Sequence, residues 1–206
     1  SAASDVYKRQ APKAPFAPTT KITFSLIALT WSHSFTWSNL WTMQKISRPA
    51  IIAATIGPVQ SVLGWLIAGS LWEGYDPIRK TISDLAADDS PVQAIQTSFF
   101  VLGGVLSLVA AIYSRMFAMP GRIVIFLGGL ATFGFAYFTT PSQDGYSDMH
   151  RLFAIASFVL FSAWPLFSMR TKSDYPWVLR PVGAILATVG FTMISLWFLS
   201  TWTNPD

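Results

Sequence analysis

Five apolar stretches, each long enough to cross a bilayer as a helix, constrain this chain more than any other feature. They cover about 51–72, 92–113, 122–140, 151–169 and 177–202. A hydrocarbon core about 30 Å thick needs about 20 helical residues. It also offers backbone N–H and C=O groups no water, so such a run must bond internally as a helix. The competing reading, a large soluble core, fails on charge. Only 12% of the residues are charged and 52% are hydrophobic, whereas soluble domains carry about 25% charged residues. The sequence predicts an all-α fold: a polytopic membrane helix bundle.

The loops set an orientation. Counted from Met43, one side carries Lys45, Arg48, Arg115, Arg122, Arg170, Lys172 and Arg180 against Asp174 alone. The other carries Arg79, Lys80 and Arg151 among Glu73, Asp76, Asp84, Asp88, Asp89, Asp144, Asp148 and Asp206. The positive-inside rule places the first side in the cytoplasm, with the loops 73–91 and 141–150 outside the cell (plasma or inner) membrane. The net charge of +4 is thus a matter of topology, and no nucleic-acid partner is expected; the expected partners are membrane lipids. With no cysteine in the chain, disulfides and thiolate metal sites are excluded.

Both ends of the sequence carry expectations of their own. Residues 1–10, SAASDVYKRQ, resemble the translation of an adapter used in sequencing libraries, which makes the chain an open reading frame from a fragment of environmental DNA. Residues 11–42 read as upstream translation or as a weak extra hydrophobic segment. The apolar part, 22–41, has seven Ser and Thr residues between Thr23 and Ser38. Met43, followed by Gln44, Lys45, Ile46, Ser47 and Arg48, is the expected start, leaving 43–206 as a single transmembrane domain. The fifth span ends close to Asp206, so a sixth helix is expected to be missing.

The outer loops hold most of the polar chemistry. In EGYDPIRKTISDLAADDSP, Asp76-Pro77 reads as a helix start. Ile78, Ile82, Leu85 and Ala86 then form one apolar stripe, predicting a short amphipathic helix over about 77–87 that lies on the membrane surface. Ser90 and Gln93 have capping-box spacing at the start of the second span. In TTPSQDGYSDMHR, Pro141 stops the third span, Asp144-Gly145 is a turn, and Ser147 or Asp148 caps the fourth.

On these residues the chain resembles the domain of unknown function 998 family of prokaryotic multi-pass membrane proteins. The resemblance covers about 45–202. It rests on Tyr75, Asp76, Pro77, Ile82, Ser83, Asp84 and Leu85 after the first span, and on Pro141, Asp144 and His150 before the fourth. It implies a bundle of about six helices in a membrane, and no activity.

The candidate site follows from the same loops. Ser83, Asp84, Arg79, Asp144, His150 and Arg151 are candidate ligand-binding residues at one outer pocket, with Gln60 inside the bilayer as a polar lining residue. The leading reading is a protein that binds a lipid or small amphiphile at its outer face. One alternative is a membrane-embedded hydrolase or transferase acting on lipid headgroups, with His150 and Asp84 or Asp144 as acid–base groups. A small transporter is a second alternative, weakened because no acidic residue lies deep in a span. Asp84 and Asp144 also have a purely structural use, bonding loop backbone or pairing with Arg79 and Arg151. Gln60 and Gln96 have one in helix–helix hydrogen bonds. No cofactor and no metal are expected: His33 and His150 are the only histidines, and zinc usually takes several His or Cys ligands.

Overall fold

The computed structural model describes residues 47–143 and 145–203. The segment 22–41, His33, Met43, Lys45 and Asp144 lie outside them. All the described residues belong to one compact unit, 43–206.

That unit is all-helical across its described residues. In chain order it contains α1 (Arg48–Leu71), α2 (Ile82–Leu85), α3 (Gln93–Tyr113), α4 (Met119–Tyr137), α5 (Asp148–Phe167) and α6 (Pro181–Thr203), with a 3₁₀ turn at Trp177–Leu179. All except α2 are long and apolar enough to cross a membrane. Packing follows the chain: α1 on α3, α3 on α4, α4 on α5, and α5 on α6. The connections alternate between two ends. Asp88, between α1 and α3, bonds Thr140, between α4 and α5, while Ala118, between α3 and α4, bonds Ser168, between α5 and α6, so successive long helices run antiparallel. One end of the bundle therefore gathers the acidic loops and the other the basic ones. We call them the acidic end and the basic end.

α4 forms the centre and buries Gly121, Ile125, Gly128, Gly129, Ala131, Thr132 and Ala136. Small residues drive this packing, because lipid tails are as apolar as leucine and helices gain only by close approach. A Cβ on Gly129 would lie 3.2 Å from the carbonyl oxygen of Gly104 on α3. A Cβ on Gly121 would lie 2.6 Å from Cα of Ser168, just past α5. α1 and α6 leave Ile52, Val59, Val62, Met193 and Trp197 exposed, as lipid-facing helices do.

Several element boundaries shift from the sequence reading, two of them for a clear local reason. α1 begins at Arg48, three residues before the apolar run. Ser47 is the extended N-cap and Pro49 sits in the first turn, where its missing N–H is no loss. The last span does not run unbroken from 177. Arg180 is held extended at ψ 161°, as a residue before proline must be, so α6 starts at Pro181.

At the basic end, arginines satisfy free carbonyls in the last turn of α3 and in the connection after it. Arg122 donates from Nε to the carbonyl oxygen of Ala111 at 2.7 Å and from Nη2 to that of Ile112 at 2.5 Å. Arg170 donates from Nε to Met116 at 3.1 Å and from Nη2 to Phe117 at 2.8 Å. The last carbonyls of a helix have no partner within it, and cationic donors suit that end.

Candidate functional site

The loop between α1 and α3 folds differently from its sequence signature. Asp76-Pro77 starts a turn rather than a helix. Asp76 Oδ1 accepts from the Ile78 N–H at 2.9 Å, and its carbonyl accepts from Lys80 at 2.9 Å. The helix starts later, because Thr81 and Asp84 make the better cap. Thr81 Oγ1 accepts from the Asp84 N–H at 3.3 Å, while Asp84 Oδ2 accepts from the Thr81 N–H at 2.5 Å. This is a capping box with aspartate in the glutamate position. The amphipathic helix expected over 77–87 thus shortens to the single turn of α2. Ile78, read from the sequence as part of that helix's apolar stripe, lies in the turn before α2 and is 93% exposed.

Ser90 closes the turn. Its Oγ donates to the Leu85 carbonyl at 2.8 Å, so it forms no capping box with Gln93. Instead Gln93 Nε2 donates to Asp88 Oδ1 at 2.7 Å. α3 has Val92 as its N-cap, with no side-chain cap bond.

α2 and the residues after it make a lid on the acidic end. Leu85, Ala86 and Ala87 are buried, and Leu85 packs with Ala68 of α1 and Val92. Trp65, Trp72 and Tyr75 pack around them. Trp65 Nε1 donates to the Tyr75 hydroxyl at 3.2 Å. Burial pushes the Tyr75 phenol above its ordinary value. The Trp65 bond opposes that rise, and the charges of Asp84 and Asp76 add to it.

The lid is laced to the loop between α4 and α5. The Asp88 N–H donates to the Thr140 carbonyl at 2.9 Å, and Thr139 Oγ1 donates to Asp88 Oδ1 at 2.6 Å. The Gln143 N–H donates to Asp89 Oδ1 at 3.1 Å, and Lys80 Nζ donates to Gln143 Oε1. Lys80 Nζ also lies 4.8 Å from the centre of the Trp72 ring.

His150 sits at the centre of this junction. Ser147 caps α5, its Oγ accepting from the His150 N–H at 3.3 Å; of the two caps the sequence offered, Ser147 and Asp148, it is the one used. The ring is only 3% exposed. Its Nδ1 lies 3.0 Å from the Phe135 carbonyl oxygen and 2.9 Å from that of Phe138, both at the end of α4. A carbonyl only accepts, so Nδ1 carries the proton. In the neutral ring Nε2 then presents a lone pair. Ser83 Oγ lies 3.0 Å from it and donates into it. The α4 terminus thus fixes the tautomer, and the tautomer makes Nε2 a base facing a half-buried hydroxyl.

Of the residues chosen from sequence, Ser83 and His150 meet directly. Asp84 follows Ser83 in the chain, with Oδ2 engaged in the cap. Peptide carbonyls, rather than a carboxylate, orient the imidazole. Arg79 is 87% exposed and pairs with Asp76 at 3.7 Å. The Arg151 guanidinium lies 6.0 Å from the centre of the Tyr146 ring. Gln60 is remote from this end, buried midway along α1, where Nε2 donates to Ser61 Oγ at 2.9 Å. Among the described residues no group of three His, Asp or Glu side chains is arranged to hold a metal ion. The sequence reading missed Asp88 and Asp89 as tethers. The adjacent acidic pair before Ser90-Pro91 was visible, but nothing local to it shows that Thr139 and Gln143 lie across from it.

Comparison with known proteins places the sequence that builds this site in a family. The family model described as "Protein of unknown function (DUF998)" matches residues 55–206, a range that includes the lid, Ser83 and His150. No curated protein and no solved structure matches the chain.

Proposed function

The chain belongs to the DUF998 family, and from that premise we propose that this integral membrane protein binds the polar head of a lipid or small amphiphile at its acidic end, on the outer face. The observation that supports the reading is the Ser83–His150 pair: a buried, tautomer-fixed imidazole whose Nε2 faces a half-buried serine at 3.0 Å. The turn that precedes α2 carries an exposed apolar residue, Ile78, beside the exposed cation Arg79. Tyr137 and Tyr146 are exposed nearby in sequence to His150. Apolar tips, cations and tyrosines together favour the headgroup layer. A bound headgroup would exchange hydrogen bonds with Ser83, and the lid would move to admit it.

A second reading rests on the direction of the same hydrogen bond. Because Ser83 donates into Nε2, the pair has the nucleophile–base arrangement of a hydrolase or transferase. Ser83 Oγ would attack an ester carbonyl or phosphoryl centre while its proton moves to Nε2. The leaving alcohol would take that proton as its bond breaks. Water or an acceptor alcohol would then release the group from Ser83, with His150 again relaying the proton.

One experiment separates the two. Purified protein is treated with a fluorophosphonate probe, and lipid retained through purification is measured in parallel. Labelling at Ser83 that is lost in both Ser83→Ala and His150→Ala supports the transferase reading. Lipid retention that falls in Ser83→Ala, with no labelling of wild type, supports the binding reading. If there is no labelling and retention is identical in all variants, both fail and the pair is structural.

A further inference from the structure

The basic end has a charge imbalance that the protein does not resolve internally. Its described cations are Arg48, Arg115, Arg122, Arg170, Lys172 and Arg180, and its one acid is Asp174. Among the described residues the ion pair formed is Arg79–Asp76, at the other end. Three of these cations serve backbone carbonyls: Arg122 and Arg170 as described above, and Arg180, whose Nε donates to the Tyr175 carbonyl at 3.1 Å. The side chains of Arg48, Arg115 and Lys172 are exposed and make no hydrogen bond to a described residue.

Arg115 also borders a cavity of about 260 Å³. The walls come from the first two turns of α1, with Ala50, Ile51 and Ala54, and from the end of α3 and its following turn, with Tyr113, Met116 and Phe117. Small residues on α1 leave the space, and Ser47 fixes its edge by donating from Oγ to the Tyr113 carbonyl at 3.0 Å. The polar backbone around the cavity is already engaged, since the carbonyls of 111, 112, 116 and 117 accept from Arg122 and Arg170. What remains is an apolar slot with one uncommitted guanidinium at its rim, at the level where spans meet the headgroup layer.

We propose that this groove holds an anionic phospholipid, with an acyl chain along Ile51, Ala54 and Phe117 and the phosphate on Arg115. The charge selects the occupant. A guanidinium binds phosphate through paired N–H donors. A basic end with almost no carboxylate recruits anionic rather than zwitterionic lipid. The site lies at the opposite end from Ser83 and does not depend on the function proposed there.

The test is native mass spectrometry of the full chain released from vesicles of phosphatidylcholine mixed with phosphatidylglycerol. Wild type is expected to retain one phosphatidylglycerol in preference to phosphatidylcholine. Arg115→Gln should lower that preference roughly fivefold, as expected for one interfacial arginine, and Arg115→Lys should restore part of it. Ala54→Trp, which fills the groove from an exposed position, should lower retention with Arg115 intact. Raised salt should weaken the preference in wild type more than in Arg115→Gln. Equal retention of the two lipids by wild type, or unchanged preference in Arg115→Gln, overturns the proposal. So does a loss in Ser83→Ala alone, which would place the lipid at the acidic end.

Discussion

The two ends of the bundle meet the same requirement with different donors. At each, the last carbonyls of a helix face no partner of their own. At the basic end guanidinium groups fill the role: Arg122 on the α3 terminus and Arg170 on the turn beyond it. At the acidic end an imidazole does so, His150 on the α4 terminus. A guanidinium has donors only and stays charged, so its chemistry ends with the cap. An imidazole has a second nitrogen. Using Nδ1 as a donor leaves Nε2 as an acceptor beside Ser83. The basic end is therefore closed by groups with no chemistry to spare, whereas the acidic end is closed by one that retains a base.

The comparison can be broken most forcefully at the basic end. Gly121→Ala puts a Cβ 2.6 Å from the Ser168 backbone, and overpacking of this kind should destabilise the bundle by ~3 kcal/mol. Thermal unfolding in detergent measures it, and an unchanged midpoint would refute close packing there. Next, Arg170→Met keeps much of the side-chain length but strips the donors from the Met116 and Phe117 carbonyls. A loss of about 2–3 kcal/mol is expected for these charge-assisted bonds.

At the acidic end His150→Leu leaves the Phe135 and Phe138 carbonyls and Ser83 without their imidazole partner. About 2 kcal/mol should be lost, and Ser83→Ala should lose about half of that or less. If the two variants are equally damaged, the hydroxyl is a structural member and the contrast between the ends fails. A smaller effect comes from pH. Tyr75 holds its proton more tightly when folded than the unfolded chain does, because its pKa is raised. Stability should be full below the ordinary value of 10.0 and fall as pH rises through the folded value. Tyr75→Phe should flatten that slope. Smallest of all, Arg79→Ala removes an exposed ion pair and should change stability by less than ~0.5 kcal/mol.

How much of this was legible in the sequence depended on range. The five spans were readable because hydrocarbon imposes one rule on every residue in them. Ser147 as the α5 cap was readable because caps are local. The lid was read too long, because Asp76-Pro77 has the right residues for a helix start and only the competing Thr81–Asp84 box shows why the helix waits. Ser83 and His150 were both chosen from their own loops, but nothing local pairs them across two spans. The role of Phe135 and Phe138 could not be read at all, since a backbone carbonyl has no residue signature. Arg180-Pro181 was local and readable, and apolar continuity masked it.

The Ser83–His150 hydrogen bond has a consequence for how the molecule is built. Its partners are 67 residues apart, and both α3 and α4 lie between them. The bond can close only after the chain has crossed the bilayer twice and the returning loop has met the lid. A chain halted after α3 has the hydroxyl without the imidazole, and one with α4 misplaced has both on the wrong terms. Nε2 therefore reports on membrane insertion: its hydrogen bonding, followed by isotope-labelled histidine, would time the moment at which the chain returning from α4 docks on the lid.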